Sequence, residues 1–386
     1  MSTRNAIFCA LSMMSFIAVP LVSAVGTPEQ TVELATDRLN RSEVCGTCHV
    51  QIYEAWEDSE HARSFTGSIF QAALEQTADT RGKKARRVCL SCHAPVALVS
   101  GDYDVSDAVT REGIGCDFCH SVTSVDLARW PMPFEIVLDG VKRGPFEYLE
   151  SSAHRTALSQ LHRASPLLCA ACHEYRNDHG VRVLSTYTEW LEGPYPGLGV
   201  TCQDCHMAIV PGERVLADLA SGPGERLMNL HRLVGSSSLS QLQRGLDASV
   251  RTVKREAGRA EVQIEVRNVA AGHKVPTGLP HKRVKLVLEA RQGNRLIYSG
   301  ERVYTRTLVD GEGGRSSTDA GVFLDSVRVS GDTRLAPKET RVERFRFSVP
   351  PGKLSFSARL LYQYQPLASE QALEETIREL QGTIPH

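Results

Sequence analysis

Five copies of one short pattern, Cys-x-x-Cys-His, leave this chain few ways to fold. They read Cys45-Gly-Thr-Cys48-His49, Cys89-Leu-Ser-Cys92-His93, Cys116-Asp-Phe-Cys119-His120, Cys169-Ala-Ala-Cys172-His173 and Cys202-Gln-Asp-Cys205-His206. Two thiols two residues apart can add to the two vinyl groups of one haem, and the histidine that follows then lies beneath the iron as its proximal ligand. The motifs follow one another at roughly 32 residues each, too little polypeptide for an independent apolar core of ordinary size. Porphyrins must then supply the core, with short helices and long loops wrapped around them. Intervals of 44, 27, 53 and 33 residues between first cysteines rule out a regular repeat and argue for one integrated unit. Zinc ribbons and disulfides also use paired cysteines. Five pairs leave a ribbon scheme one pair over, and neither chemistry needs a histidine after every second cysteine.

With 386 residues the chain has room for two domains. A formal charge of -1 and a pI near 6.9 give no basic excess, so nucleic acid is excluded as an expected partner. Haem propionates would make the assembled protein more acidic, which suits docking to a basic redox protein. Met1 to Ala24 reads as a secretory signal: Arg4 supplies the positive start, Ala6 to Val22 is largely apolar, and Val22-Ser23-Ala24 offers a small-residue cleavage site. Cys9 is discarded with it. No later segment has the length and apolarity to span a bilayer. The expectation is a periplasmic protein with no integral membrane span after cleavage, its state of oligomerisation left open.

The expected fold is a mainly α and irregular multihaem domain over residues 25–240, wrapped around five haems. A β-sandwich-like domain over 250–365 and a C-terminal helix and tail over 366–386 follow. The second region changes to period two: Val262, Ile264 and Val266; Val284, Leu286 and Leu288; Phe345, Phe347 and Val349; Leu354 to Tyr364. Such runs read as half-buried antiparallel strands. Ala372, Leu373, Ile377 and Leu380 are spaced for one helix face, with Gly382 as a stop.

Eight histidines lie outside the motifs: His61, His154, His162, His179, His231, His273, His281 and His386. They are enough to give every iron a second histidine, which makes a closed low-spin centre suited to electron transfer. A helical pattern over Gln51 to Glu75 would put His61 about 18 Å from His49, so that it must reach another haem. His154 and His162 flank an expected helix ending near Pro166, and either could serve. His231 stands in the bridge between the two regions, and His273 in a Gly/Pro loop between strands, where a ligand is usefully presented. His179, His281 and His386 read as surface residues.

Several segments resemble the cytochrome c-554-like family of multihaem c-type cytochromes. They are Cys45 to His49 followed by Ile52-Tyr53, Trp56, Ser59 and His61-Ala62; Cys89 to Pro95 leading into Gly113 to His120; and His154 with Cys169 to Glu174. Tyr187 to Trp190 with Thr201 to Met207, and Asn268 with Gly272 to Gly278, complete the match. The resemblance covers nearly all of residues 43 to 290. It implies His61, His154, His231 and His273 as distal ligands, with His61 reaching the third haem, and neighbouring haems stacked closely enough to conduct. It leaves the fifth distal position to His162, to His179 or vacant. Five haems and an appended β domain depart from the family's typical tetrahaem carrier.

These readings converge on a periplasmic cytochrome with five covalently bound c-type haems that relays electrons between a protein donor and a protein acceptor. An alternative is an oxidoreductase with one open haem acting on a small nitrogen or sulfur compound. A cytochrome filament or conduit subunit is another. No motif ends in lysine, as the catalytic motif of cytochrome c nitrite reductases often does.

Overall fold

The computed structural model describes residues 34–146, 153–211, 227–368 and 372–385. The signal segment, Cys9 and His386 lie outside them. Up to the last motif the described chain is built from short pieces. Helices α1 (Ser42–Gly46), α2 (Val50–Glu57), α3 (Ser68–His93), α4 (Cys116–Ser121), α5 (Leu167–His173), α6 (Thr186–Leu191) and α7 (Cys202–His206) alternate with loops and two-stranded ribbons. Every motif carries helix, because one helical turn brings cysteines at i and i+3 to the same side with the histidine beside them. A capping box, Thr201 with Asp204, starts the last of these turns. Apolar packing here comes in small patches, such as Phe118, Val122, Phe134 and Ala171.

The helix expected over 51–75 breaks after Glu57 and resumes at Ser68. Ser59 is the cause: its hydroxyl accepts the Ala62 amide at 3.2 Å and competes with the helical ladder. Between His154 and His162 there is likewise no single helix. Arg155–Leu158 is a strand paired in parallel with Val141–Gly144, and a short helix, Gln160–Ala164, follows. The two histidines therefore do not share a face.

Seven long strands make the second region: β1 (Leu246–Glu256), β2 (Arg259–Asn268), β3 (Lys282–Gln292), β4 (Arg295–Tyr304), β5 (Thr340–Ser348), β6 (Leu354–Tyr364) and β7 (Leu373–Ile384). They form two antiparallel sheets, ordered β5-β2-β1 and β4-β3-β6-β7. Val262, Ile264, Val266, Val284, Leu286, Leu288, Phe345 and Leu360 are buried in one continuous core, and their intervening neighbours face outward.

The C-terminal helix expected over 366–386 is overturned, since that segment is β7. A short isolated helix gains little in water, whereas pairing with Leu354–Tyr364 satisfies a long row of backbone groups and buries Ile377 and Ile384. Gly382 does not stop a helix. It sits opposite Phe356, whose ring lies where a Cβ would be, 2.5 Å away.

Candidate functional site

Among the described residues five pairs of histidine rings face each other; in one, His162 stacks on His120 at 5.6 Å and 14° with its Nε2 turned to the Cys119 carbonyl, and the other four share nearly one spacing. His49 and His154 have ring centres 6.2 Å apart, His61 and His173 6.3 Å, His120 and His231 6.3 Å, and His206 and His273 6.4 Å. With metal–nitrogen bonds of about 2 Å on either side and ring centres roughly 1 Å behind the nitrogens, two imidazoles sharing a metal stand about 6 Å apart. Interplanar angles from 12° to 44° fit as well, because each ring can turn about its own bond to the metal. Each pair joins one motif histidine to one outside the motifs, so the residues present fit axial ligation of an iron.

Hydrogen bonds set the rings. The Nδ1–H of His120 donates to the Arg143 carbonyl, that of His206 to Val234 at 2.7 Å and that of His93 to Ser64 at 2.7 Å. On the opposing side, His231 donates to Asn229 at 2.6 Å, His154 to Arg155 at 3.1 Å and His273 to Lys274 at 2.9 Å. A carbonyl acceptor at Nδ1 fixes the tautomer and leaves Nε2 as the free ligand nitrogen. Burial favours the neutral, ligand-competent ring: it pushes His61 and His93 down to about 4 and His120 and His173 to about 3, and it lowers His154, His231 and His273.

His61 does not face the third motif, as the resemblance implies, but the fourth. The bend after Glu57 turns it there, and Gly113 holds the bend from the other side. Gly113 has φ +77°, and a Cβ on it would meet the Ser64 hydroxyl at 2.3 Å and the His61 carbonyl at 2.9 Å. The Ile114 amide donates to that same carbonyl at 3.2 Å, and the Trp56 indole donates to Ile114 at 2.9 Å.

The second motif differs. Among the described residues, the ring paired with His93 is Phe70, stacked 3.7 Å away at 8°. His162 does not supply the missing partner: Ser159 engages its Nδ1 and the Cys119 carbonyl its Nε2, both at 2.8 Å, leaving no nitrogen for iron. His179 is exposed on a turn. His281, expected at the surface, is instead largely enclosed, with its Nε2 2.9 Å from the Asp319 carboxylate. Sequence reasoning missed Phe70 and all of the carbonyl acceptors. Phe70 carries only a helix-face signal, and a backbone carbonyl carries none.

None of the ten motif cysteines forms a disulfide. Cysteines of different motifs lie beside one another and shift one another's ionisation: Cys45 with Cys116, Cys92 with Cys172, and Cys169 with Cys202. Cys119 and Cys172 pack against the same apolar cluster.

Residues 44–121 match the family model described as cytochrome c554 and c-prime, a stretch that holds the first three motifs. The fold superposes on the crystal structure of a penta-heme cytochrome c552 from Thermochromatium tepidum with a TM-score of 0.72. That match covers 91% of this chain and 100% of that one at 20% identity. A β-glucosidase from Kluyveromyces marxianus reaches a TM-score of only 0.18 at 9% identity, over 36% of this chain and 15% of that one, which is too little to bear on the fold. No curated protein sequence matches the chain significantly. Among the described residues no helix is long and apolar enough to cross a membrane. The family match falls where the first motifs and the His61 bend pack together, and the fold match runs almost the length of the molecule; residues 44–121 are thus similar to a multihaem c-type cytochrome family, and the fold is similar to that of a penta-heme cytochrome.

Proposed function

We propose that the chain carries five covalently bound c-type haems, one on each motif, and relays electrons between redox proteins in the periplasm. The carrying observation is the common spacing of the four histidine pairs. Cys45 and Cys48, Cys89 and Cys92, Cys116 and Cys119, Cys169 and Cys172, and Cys202 and Cys205 would form the thioethers. His49 with His154, His120 with His231, His173 with His61 and His206 with His273 would close four irons. A bound haem supplies one-electron chemistry, and a closed low-spin iron exchanges that electron with little rearrangement. The chain's part is to fix the ring orientations through the Nδ1 hydrogen bonds and to bring the attachment sites close together by placing cysteines of different motifs side by side. Export is supported by the signal at Met1 to Ala24, and electron transfer implies a protein donor and a protein acceptor.

Mass spectrometry of the mature protein and low-temperature electron paramagnetic resonance of its oxidised form test this. Five haem additions with four low-spin irons are expected. Zinc in place of haem, or fewer additions from a maturation-competent host, would sink the proposal.

A second reading rests on His93, which has Phe70 beside it and no described histidine facing it. A haem held there from one side would take a small external ligand, as a catalytic haem does. Steady-state turnover of nitrite, hydroxylamine or sulfite, abolished by cyanide, would favour an enzyme. Negligible turnover with rapid reoxidation by a partner cytochrome is the outcome expected of a carrier.

A further inference from the structure

The loop that presents His273 is tied down residue by residue to a buried charged cluster. Lys274 donates to the Asp332 carboxylate at 2.9 Å. Val275 and Leu335 exchange backbone hydrogen bonds at 2.9 and 3.1 Å. The Pro276 carbonyl accepts from the Arg334 guanidinium at 3.2 Å, and the Thr277 hydroxyl donates to Glu189 at 2.7 Å. His273 itself is held at its carbonyl by the Asn268 amide, 3.0 Å away.

The cluster centres on Arg334 and Glu189, paired at 2.6 Å with only 4% of either side chain exposed. Arg334 also grips Asp332 through two donors at 2.8 and 2.9 Å. Glu189 takes a further hydrogen bond from Ser185 at 2.7 Å. Ser185 in turn accepts from Arg306 at 2.9 Å. A buried ion pair adds little net stability, since desolvation offsets most of its attraction, and its best-attested use is to specify one arrangement over others. Here the arrangement joins α6, in the haem-binding part of the chain, to the loop between β2 and β3. The ends of this link are Glu189, thirteen residues before the fifth motif, and Thr277, four residues after His273.

We propose that Glu189 and Arg334 are positioning residues that hold His273 at axial distance from the iron borne by His206, with Thr277 as their contact to the loop. The proposal rests on His273 being that ligand and assigns a role to side chains that do not touch the iron. In their absence a Gly/Pro loop bearing a single coordinate bond would sample open positions, and the fifth haem would spend part of its time with one ligand.

The test compares His273→Ala, Glu189→Gln, Arg334→Gln, Thr277→Val and Thr277→Ser in the full holoprotein. The readouts are electron paramagnetic resonance of the oxidised form and carbon monoxide uptake by the reduced form. His273→Ala should add one high-spin haem and roughly double carbon monoxide uptake, from one open haem to two. Glu189→Gln, Arg334→Gln and Thr277→Val should move part of the way to that spectrum, while Thr277→Ser, which keeps the hydroxyl, should match the unmodified protein. If the charge variants fail to fold, the Thr277 pair decides alone. An open haem in His273→Ala with unmodified spectra in all the others would overturn the positioning role and leave the ligand intact. No change in His273→Ala would overturn the ligand assignment and this proposal with it.

Discussion

In the proposed ligation a histidine is selected by what its second nitrogen does, and that decides among residues the sequence ranks alike. His162 and His154 stand eight positions apart and both fall within reach of a motif. His154 gives Nδ1 to a carbonyl and turns its other edge to His49, whereas His162 has both nitrogens engaged. His162→Ala should therefore leave the number of low-spin haems unchanged, and His154→Ala should reduce it by one, as electron paramagnetic resonance would show. The proposed attachment cysteines and proximal histidines are legible because covalent attachment would fix their spacing in the chain. The opposing histidines are separated from their irons by up to about a hundred residues of sequence, and only folding brings them together. Gly113 belongs to the same scale. Gly113→Ala would meet both an unfavourable φ and the His61 carbonyl, at a cost of about 1–3 kcal/mol. A weakened His61–His173 centre should be visible as a new high-spin signal.

At the scale of elements, period two identified the sheets and period 3.6 misled at the end of the chain. Val262 to Val266 and Leu354 to Tyr362 alternate cleanly because each strand has one face in the core. Leu373, Ile377 and Leu380 are spaced four and three apart, the helical pattern, and a strand keeps them on one side only through the register shift at Ile377; the open edge of Leu354–Tyr364 settled the matter by offering hydrogen bonds that a lone helix could not match. Ile377→Ala should cost about 2–5 kcal/mol of stability. Gly382→Val should cost about 1–3 kcal/mol through overpacking against Phe356, and a helical tail would have tolerated it. Thermal unfolding followed by circular dichroism in the β-sheet region separates these outcomes. The break after Glu57 was hidden for a related reason: a serine that bends a helix and one that merely decorates it look the same in sequence.

For the whole molecule, acid should act through the cluster beneath the His273 loop. Burial alone would raise the Asp332 carboxyl, but hydrogen bonds and charge from Arg334 and Lys274 outweigh it and hold the group well below the usual carboxylate range. A carboxyl depressed in the folded state contributes stability that is fully present above its unfolded value near 4 and is lost as pH falls towards the folded value. The Asp332 contribution should thus be lost below about pH 4, and Asp332→Asn should show a shallower decline in that window, measured as melting temperature against pH. The side-by-side placement of cysteines from different motifs carries a different consequence, best put as a wiring diagram. Cysteines of the first site lie beside those of the third, the third packs beside the fourth, and cysteines of the fourth lie beside those of both the second and the fifth. That is a junction with three arms and not a single file. Cutting a single file anywhere halves it, but here damage at the outer sites trims an arm while damage at the fourth strands all three. Current through this protein should be far more sensitive to the site built from His61 and His173 than to any other.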